Sequence, residues 1–242
     1  MSKNTLSTKK EINGITYYER GIIDVDGNAF LRFAIKTHFI KRKESYLEII
    51  GKYVMPICKS GDILSISEKV ISMCQDNCVE RKDIKLGLWA KFLSKFALRT
   101  SAGIGMDEPH KLQLTINIVG LPKVLFAAVL SGLGKIIGKR GIFYKIVGNG
   151  VAGIDGLYPN SSFEIYKDMA VLNPIDADSV CDEIKKLTNL TTYIVDANDI
   201  AQEILGKCSD SEYTDETFLK MIKDNPAGQS DELTPFIIIR KG

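Results

Sequence analysis

Alternating apolar and polar residues in the first part of the chain predict β-strands. The alternation runs in places between residues 15 and 40, and Asp26-Gly27-Asn28 interrupts it with residue types that favour a tight turn. Short apolar segments bounded by glycine, proline or polar residues predict four further strands. These segments are residues 63–67, 141–147, 191–195 and 235–239.

Apolar residues spaced three or four positions apart predict helices between the strands. A helix over residues 83–98 would place Leu88, Phe92 and Phe96 on one side, with Asp83 as its N-cap. Similar patterns predict four other helices. They are residues 44–53, 178–187, 200–205 and 215–223.

The most apolar segment, residues 121–137, predicts a buried core helix. Pro122 suits a first helical turn. Lys123 and Lys135 bracket an apolar run that is shorter than the roughly 18 residues expected of a membrane span. We therefore expect this helix in the protein core and no membrane contact, with docking on a membrane surface as the less favoured alternative.

The composition is typical of a globular protein that buries a sizeable core. The chain has 242 residues, of which 45% are hydrophobic and 26% are charged. We expect a flexible tail over residues 1–12 and a single domain over residues 13–242, which two packed subdomains could build. The net charge of +2 gives no general attraction to nucleic acid, so we expect no nucleic-acid partner.

Cysteine and histidine usage narrows the metal chemistry. The five cysteines are scattered, without a second pair at zinc-finger spacing, and the simplest interpretation is reduced thiols in a cytoplasmic protein. Only two histidines are present, which excludes a histidine-rich metal site. Residues 1–11 lack the apolar core of a signal peptide.

Two carboxylates at predicted strand ends are candidate metal ligands. Asp155 lies in a loop whose Gly148-x-Gly150-x-x-Gly153 spacing matches a dinucleotide fingerprint, but a turn-rich segment replaces the helix that would hold pyrophosphate. We therefore reject a dinucleotide site. Asp196 ends a predicted strand. On the residues alone, Asp155 is more often a turn residue and Asp196 more often a helix N-cap.

A third segment, Ser67-Glu68-Lys69, follows a predicted strand and combines a hydroxyl, an acid and a base. Alone, it indicates a strand-to-helix cap with a local ion pair, a common surface feature. Taken in chain order, these and other segments together resemble the coenzyme F-420 γ-glutamyl ligase family. The segments that carry the resemblance are residues 37–40, 47–50, 61–64, 67–72, 152–155, 173–178, 193–198 and 234–240.

The resemblance implies a fold, a reaction and a site. Ligases of that family join glutamate to a carboxylate in an amide bond, so the implied partners are a nucleotide and a small carboxylate substrate. The implied fold is α+β, with mixed or antiparallel sheets and helices, in a homodimer. Asp155 and Asp196 match metal-binding carboxylates for Mg or Mn with GTP or ATP, and no catalytic residue is assigned. The implied nucleotide-binding residues are Thr37, His38, Phe39, Ile40, Glu68, Lys69 and Asn160.

The chain departs from the family pattern at several positions. Ala197 stands where a threonine typically follows the metal-binding aspartate, and Met73 stands where the ligases have a nucleotide-contacting lysine. The segment between residues 199 and 225 is far shorter than in the ligases. Three hypotheses follow: an amide ligase, a non-catalytic homologue that binds a nucleotide, small ligand or partner, and a peripheral membrane or docking protein.

Overall fold

A computed structural model describes residues 8–97, 105–139, 141–157, 163–197, 202–228 and 232–242. The strands are β1 (Thr8–Ile12), β2 (Ile15–Val25), β3 (Asn28–Ile35), β4 (Ile63–Ser67), β5 (Cys78–Glu80), β6 (Asp155–Gly156), β7 (Met169–Val171), β8 (Thr191–Ala197), β9 (Gln202–Lys207) and β10 (Phe236–Lys241). The helices are α1 (Tyr46–Tyr53), α2 (Glu68–Cys74), α3 (Leu88–Leu93), α4 (Pro109–Val119), α5 (Leu121–Ile136), α6 (Ile142–Val147), α7 (Asn149–Ala152), α8 (Ala177–Thr188) and α9 (Asp215–Ile222).

The chain forms two compact units. The sheet unit comprises Met1–Asp76 and Pro174–Gly242, and the helical unit comprises Asn77–Asn173. The sheet unit is built on seven strands in the order β1-β2-β3-β10-β4-β8-β9. Neighbouring strands are antiparallel except β4 and β8, which are parallel. A mixed sheet with helices makes this an α+β protein, which confirms the fold class that the resemblance implied.

Strand β10 lies at the centre of the sheet and is buried on both faces. Phe236 and Ile238 belong to the cluster that includes residues of α1, α2 and α8, whereas Ile237 and Ile239 belong to the cluster that includes residues of α9. Successive side chains of a strand point to opposite faces. A continuous apolar run is therefore what a strand covered on both sides requires.

The helical unit holds a small antiparallel sheet, in the order β5-β7-β6, and the helices α3 to α7. Its core includes Leu112, Val124, Val151 and Leu157, all buried. Among the described helices, none is long and apolar enough to cross a bilayer by itself. The helices α4 and α5 meet that length and composition test only as a pair, bent by 119°.

Most of the strands and helices predicted from the sequence are confirmed. The turn at Asp26-Gly27-Asn28 joins β2 to β3, with positive φ at Asp26 and Gly27. The predicted strands at 63–67, 191–195 and 235–239 correspond to β4, β8 and β10, and the predicted helices at 44–53, 178–187 and 215–223 correspond to α1, α8 and α9. Residues 8–12, which the sequence assigned to a tail, pair with β2 as strand β1.

Residues 142–147 form the helix α6, so the prediction of a strand over residues 141–147 is wrong. The helix packs on α5 at Gly134, where a Cβ atom would lie 2.1 Å from Cδ1 of Ile142. Glycines with positive φ, Gly141 and Gly148, stand at its two ends. A short apolar segment fits either conformation, and here the close packing against α5 decides in favour of the helix.

The prediction of a helix over residues 200–205 is also wrong, because β9 covers Gln202–Lys207 and pairs with β8. Gly206 in this strand lies against α8, where a Cβ atom would be 2.5 Å from the carbonyl carbon of Ala177. Hydrogen bonds to β8 satisfy the backbone N–H and carbonyl groups of this segment. A sequence window over residues 200–205 does not contain that neighbour. Residues 198–201 lie outside the described residues.

Two predicted helices are found in altered form. The helix predicted over residues 83–98 is reduced to α3, which begins after Gly87 and not after Asp83, with 3-10 turns at Arg81–Asp83 and Ser94–Phe96. Residue 98 lies outside the described residues. Helix α5 confirms the helix at 121–137, but its expected burial is wrong. Its buried residues are Val124, Ala127 and Gly134.

The packing of β9 on α8 predicts a contrast between two glycine substitutions. Gly206→Ala should lower the free energy of unfolding by about 1–3 kcal/mol, because backbone atoms of Ala177 must move to admit the methyl group. Gly51→Ala in α1 is the control, since nothing lies within 4 Å of the point that its new methyl group would occupy. It should raise the free energy by about 0.5–1 kcal/mol. Urea denaturation measures both, and equal effects would contradict the close contact.

Candidate functional site

Three segments that the sequence singled out meet at one edge of the seven-stranded sheet. The parallel strands β4 and β8 end together, with Ser67 opposite Val195. Between β3 and β4, the first residue of β10 lies opposite Ile35 on one side and Ile66 on the other. The segments that follow β3 and β4, and the end of β8, therefore lie at the same edge. The carboxyl ends of strands are where α/β-type sheets usually bind ligands.

Residues 37–40 follow β3 at this edge. The Thr37 N–H donates to the Leu233 carbonyl over 2.9 Å, and the Thr37 hydroxyl donates to the carbonyl of His38 over 2.8 Å. Thr37 is buried, and Ile40 packs in the core of the sheet unit. Phe39 is half-buried. Because the Ile40 side chain faces the core, a ligand would contact that residue through its backbone.

The His38 ring is exposed and is held between two side chains. Its Nε2 lies 2.7 Å from Oε2 of Glu44, and its Nδ1 lies 2.9 Å from the Tyr53 hydroxyl. A ring that donates from Nε2 to the carboxylate can accept at Nδ1 from the tyrosine. Burial raises the pKa of Glu44, but hydrogen bonds from the Lys41 backbone N–H and from His38 outweigh burial. The pKa of Glu44 is therefore lowered.

Basic residues flank this segment, and the sequence motifs did not predict a role for them. Lys36 and Lys41 are exposed, while Arg42 and Lys43 both pair with Asp76. The hydrogen bond from Arg42 is the first cause of the lowered pKa of Asp76. The close spacing of these basic residues in the sequence was the feature that could have indicated such a role. Clustered cations of this kind attract phosphate groups.

The segment at the end of β4 turns directly into a helix. Ser67 occupies the N-cap position of α2 without a side-chain cap hydrogen bond, so the predicted cap is found only as a backbone position. Glu68 is buried and Lys69 is half-buried at the first turn of α2. The N–H of Lys43 donates to the carbonyl of Met73 over 3.0 Å, which ties the basic run to the end of the same helix.

Asp196 lies inside β8, and its interpretation as a helix N-cap is wrong. It is half-buried and stands opposite Glu203 of β9, because the chain returns as a strand and not as a helix. Asp196 comes directly after Val195, the partner of Ser67 in the parallel pair. Glu68 and Asp196 thus occupy corresponding positions, one residue beyond that pair, at the ends of neighbouring strands.

Asp155 belongs to the helical unit, where it begins β6. Its Oδ1 accepts the N–H of Gly156 over 2.7 Å. A Cβ atom at Gly156 would lie 2.1 Å from the carbonyl oxygen of Met169, and one at Gly153 would lie 1.9 Å from Oδ1 of Asn173. The glycines on either side of Asp155 therefore serve close packing. Asn160, the remaining predicted nucleotide-binding residue, lies outside the described residues.

The side chains of Asp182, Cys208 and Asp210 bring possible metal-binding atoms within 4.8 Å of one another. Each already has another role. Asp182 accepts the N–H of Ser209, and Asp210 pairs with Lys185 over 2.6 Å. The Cys208 thiol accepts the N–H of Thr192 and donates to the carbonyl of Cys181, and burial raises its pKa. A buried thiol with a raised pKa is a poor metal ligand, so this cluster fits a metal poorly.

A cavity of about 540 Å³ lies in the helical unit and contains no predicted site residue. Its lining residues are Glu80, Arg81, Lys82, Ile84, Leu86, His110 and Asp168. The Arg81 guanidinium is paired with Glu108 and Asp168 and also donates to the carbonyl oxygens of Leu157 and Lys167. Its charge therefore stabilises the unit and is not available to an anionic ligand.

Comparison with known protein families gives a match. A family model described as F420-0:Gamma-glutamyl ligase matches residues 34–196. The chain belongs to this family. The match begins in β3 and ends at Asp196, so it spans the three sheet-edge segments and Asp155. No curated protein matches the chain. The family supports a ligase function and agrees with the resemblance seen in the sequence.

The carboxylate of Glu44 predicts a pH-dependent contribution to stability. Because its folded-state pKa lies below the unfolded value, the contribution is present above the unfolded pKa and is lost as the pH falls through the folded one. Glu44→Gln should therefore lower the free energy of unfolding at pH 7, and its difference from wild type should shrink below the ordinary glutamate value of 4.5.

Urea denaturation of wild type and Glu44→Gln at neutral pH and at about pH 3 measures this contribution. A double-mutant cycle with His38→Ala separates the part due to the ring from the part due to the Lys41 N–H. An equal difference at both pH values would show that the carboxylate charge does not stabilise the fold.

Proposed function

We propose that this protein joins an amino acid to a small carboxylate in an amide bond, using GTP or ATP with Mg or Mn. The observation that carries the proposal is the shared sheet edge. Along this edge lie the basic run around Thr37 after β3, the Glu68-Lys69 pair after β4 and Asp196 at the end of β8. Membership of the γ-glutamyl ligase family supports the same reaction class. The family resemblance also supports a homodimer, and the scattered cysteines support a cytoplasmic location.

The reaction needs an activated carboxylate. A carboxylate oxygen attacks the γ-phosphorus, the bond to the bridging oxygen breaks, and the nucleoside diphosphate leaves. The amine of the incoming amino acid then attacks the acyl carbon, inorganic phosphate leaves, and the amine proton is released. Phosphoryl transfer of this kind depends mainly on positioning and on compensation of the phosphate charge.

The residues of this chain fit those two requirements. Lys36 and Lys41 are exposed beside Thr37, where they would attract the phosphates, and Lys69 would offset charge that develops during transfer. Asp155 and Asp196 supply carboxylate oxygens, the ligand type that Mg and Mn prefer. When bound, the metal would neutralise part of the negative charge on the phosphates.

A second candidate function is nucleotide or ligand binding without ligation. The observation that favours it is Met73. In the resemblance this residue replaces a nucleotide-contacting lysine, and here its side chain is buried, with 1% of its surface exposed. A side chain at this position packs in the protein and would not reach a phosphate. The two functions differ in turnover and not in nucleotide binding.

Nucleotide binding is tested by thermal unfolding with GTP or ATP and Mn or Mg. At a ligand concentration of 100 times the dissociation constant, the free energy of unfolding should rise by about 2.7 kcal/mol. Asp155→Asn and Asp196→Asn should each remove most of the metal-dependent part of this gain. Asp210→Asn is the matched control, because it alters the other group of possible metal ligands.

The nucleotide proposal fails if no nucleotide–metal pair stabilises the protein. If Asp210→Asn abolishes the metal dependence and Asp155→Asn and Asp196→Asn do not, the metal lies at the Asp182-Cys208-Asp210 group and our assignment is wrong.

Ligation is tested by trapping the acyl phosphate. With nucleotide, metal, a panel of small carboxylates and hydroxylamine in place of the amino acid, a ligase should form a hydroxamate and release one nucleoside diphosphate for each. Lys69→Met should lower the rate and Lys186→Met, on an exposed face of α8, should not. Nucleotide binding without hydroxamate from any carboxylate would favour the non-catalytic homologue.

A further inference from the structure

Helix α5 is apolar on two opposite faces. One face is buried in the helical unit through Val124, Ala127 and Gly134. The other, here called the α5 stripe, is exposed to solvent. The stripe consists of Phe126 (59% exposed), Val129 (62%), Leu133 (55%) and Ile136 (82%). An amphipathic surface helix normally turns polar residues outward. A contiguous exposed apolar stripe marks an interaction surface.

The charge around this stripe is of one sign. No aspartate or glutamate occurs between residues 109 and 154, whereas Lys135, Lys139 and Lys145 are exposed there. The whole helical unit, residues 77–173, has thirteen basic and seven acidic residues. The remainder of the chain has nineteen basic and twenty-three acidic residues. The helical unit is therefore basic, although the net charge of the whole protein is close to zero.

The same unit carries a second exposed apolar group. Leu88, Trp89, Phe92 and Phe96 are 49–85% exposed on α3 and the 3-10 turn that follows it. Lys91 and Lys95 are exposed between them. Bulky apolar residues interleaved with lysines are typical of surfaces that bind anionic membranes.

The stripe has the three-and-four spacing of a coiled-coil seam, which makes a second copy of the helix the main competing occupant. Charge disfavours that occupant. Two copies would bring lysines of like sign together, with no acidic residue in residues 109–154 to pair with them. A bilayer with anionic headgroups offers acyl chains to the apolar stripe and negative charge to the lysines around it.

We infer that the α5 stripe docks this protein on the surface of bilayers that contain anionic phospholipid. Helix α5 has 16 residues. At 1.5 Å per residue it is about 24 Å long, too short to span a hydrocarbon core. It lies in the plane of the interface instead, with the stripe inserted among acyl chains and the lysines at the headgroups.

Vesicle flotation of the full chain tests this inference. The protein should float with phosphatidylcholine vesicles that contain phosphatidylserine, should stay unbound with phosphatidylcholine alone, and should be released by salt. Phe126→Gln with Leu133→Gln should abolish flotation. Lys135→Gln with Lys145→Gln should weaken binding about fivefold for each lysine.

Two matched controls use exposed residues of the sheet unit. Ile22→Gln with Leu187→Gln replaces exposed apolar residues, and Lys186→Gln with Lys223→Gln replaces exposed lysines. Both should leave flotation unchanged, and all of these variants should fold because the altered side chains are largely exposed. Circular dichroism and nucleotide-free thermal unfolding check folding.

The inference is overturned if the protein stays unbound with anionic vesicles, or if it floats and the Phe126-Leu133 variant floats equally well. It is also overturned if light scattering shows that wild type is a dimer and this variant a monomer, while wild type does not bind vesicles. The stripe is then an interface between two copies of the chain. Each of these results is independent of nucleotide binding.

Discussion

The double-sided burial of β10 is the constraint on which the sheet unit depends. Phe236 and Ile238 contact one core and Ile237 and Ile239 contact the other, so four consecutive apolar residues are all buried. Such a strand needs packing on both faces of the sheet, and β10 lies at the centre of the sheet, between β3 and β4. A segment close to the end of the chain therefore fixes the spacing of strands that come from its first third. At the C-terminal end of β10, Arg240 binds the buried Asp62 through two hydrogen bonds of 2.6 and 2.8 Å.

The candidate site is a consequence of that arrangement. Leu233 and Pro235, which lead into β10, accept the backbone N–H groups of Thr37 and Ser67 over 2.9 Å each. These bonds hold the segments after β3 and β4 at one edge of the sheet. The parallel pairing of β4 with β8 then adds Asp196 to the same edge. A site assembled from three strand ends keeps its geometry because the sheet, and not a loop, sets the spacing.

Elements whose conformation follows from nearby residues were predicted correctly, whereas elements whose conformation depends on packing against another element were not. The hairpin at Asp26-Gly27-Asn28 and the amphipathic helix α8 were predictable, because turn chemistry and helical periodicity lie within a few residues of each other. The segments at 142–147 and 202–207 were not. Their conformations depend on contacts with Gly134 and Ala177, which lie outside the segments themselves. The family resemblance found the site segments through their order, but it did not reveal the basic residues beside Thr37.

The sequence by itself determined the family, the α+β class and the identity of the candidate carboxylates, since these follow from the order of short motifs along the chain. The tertiary structure decided which elements surround each of these residues. It made Asp196 a strand residue instead of a cap, because β9 returns to pair with β8. It also left one apolar face of α5 exposed, because the helical unit needs only the opposite face for its core. Hydrophobicity is a property of the residue, whereas burial depends on which surfaces the fold brings together.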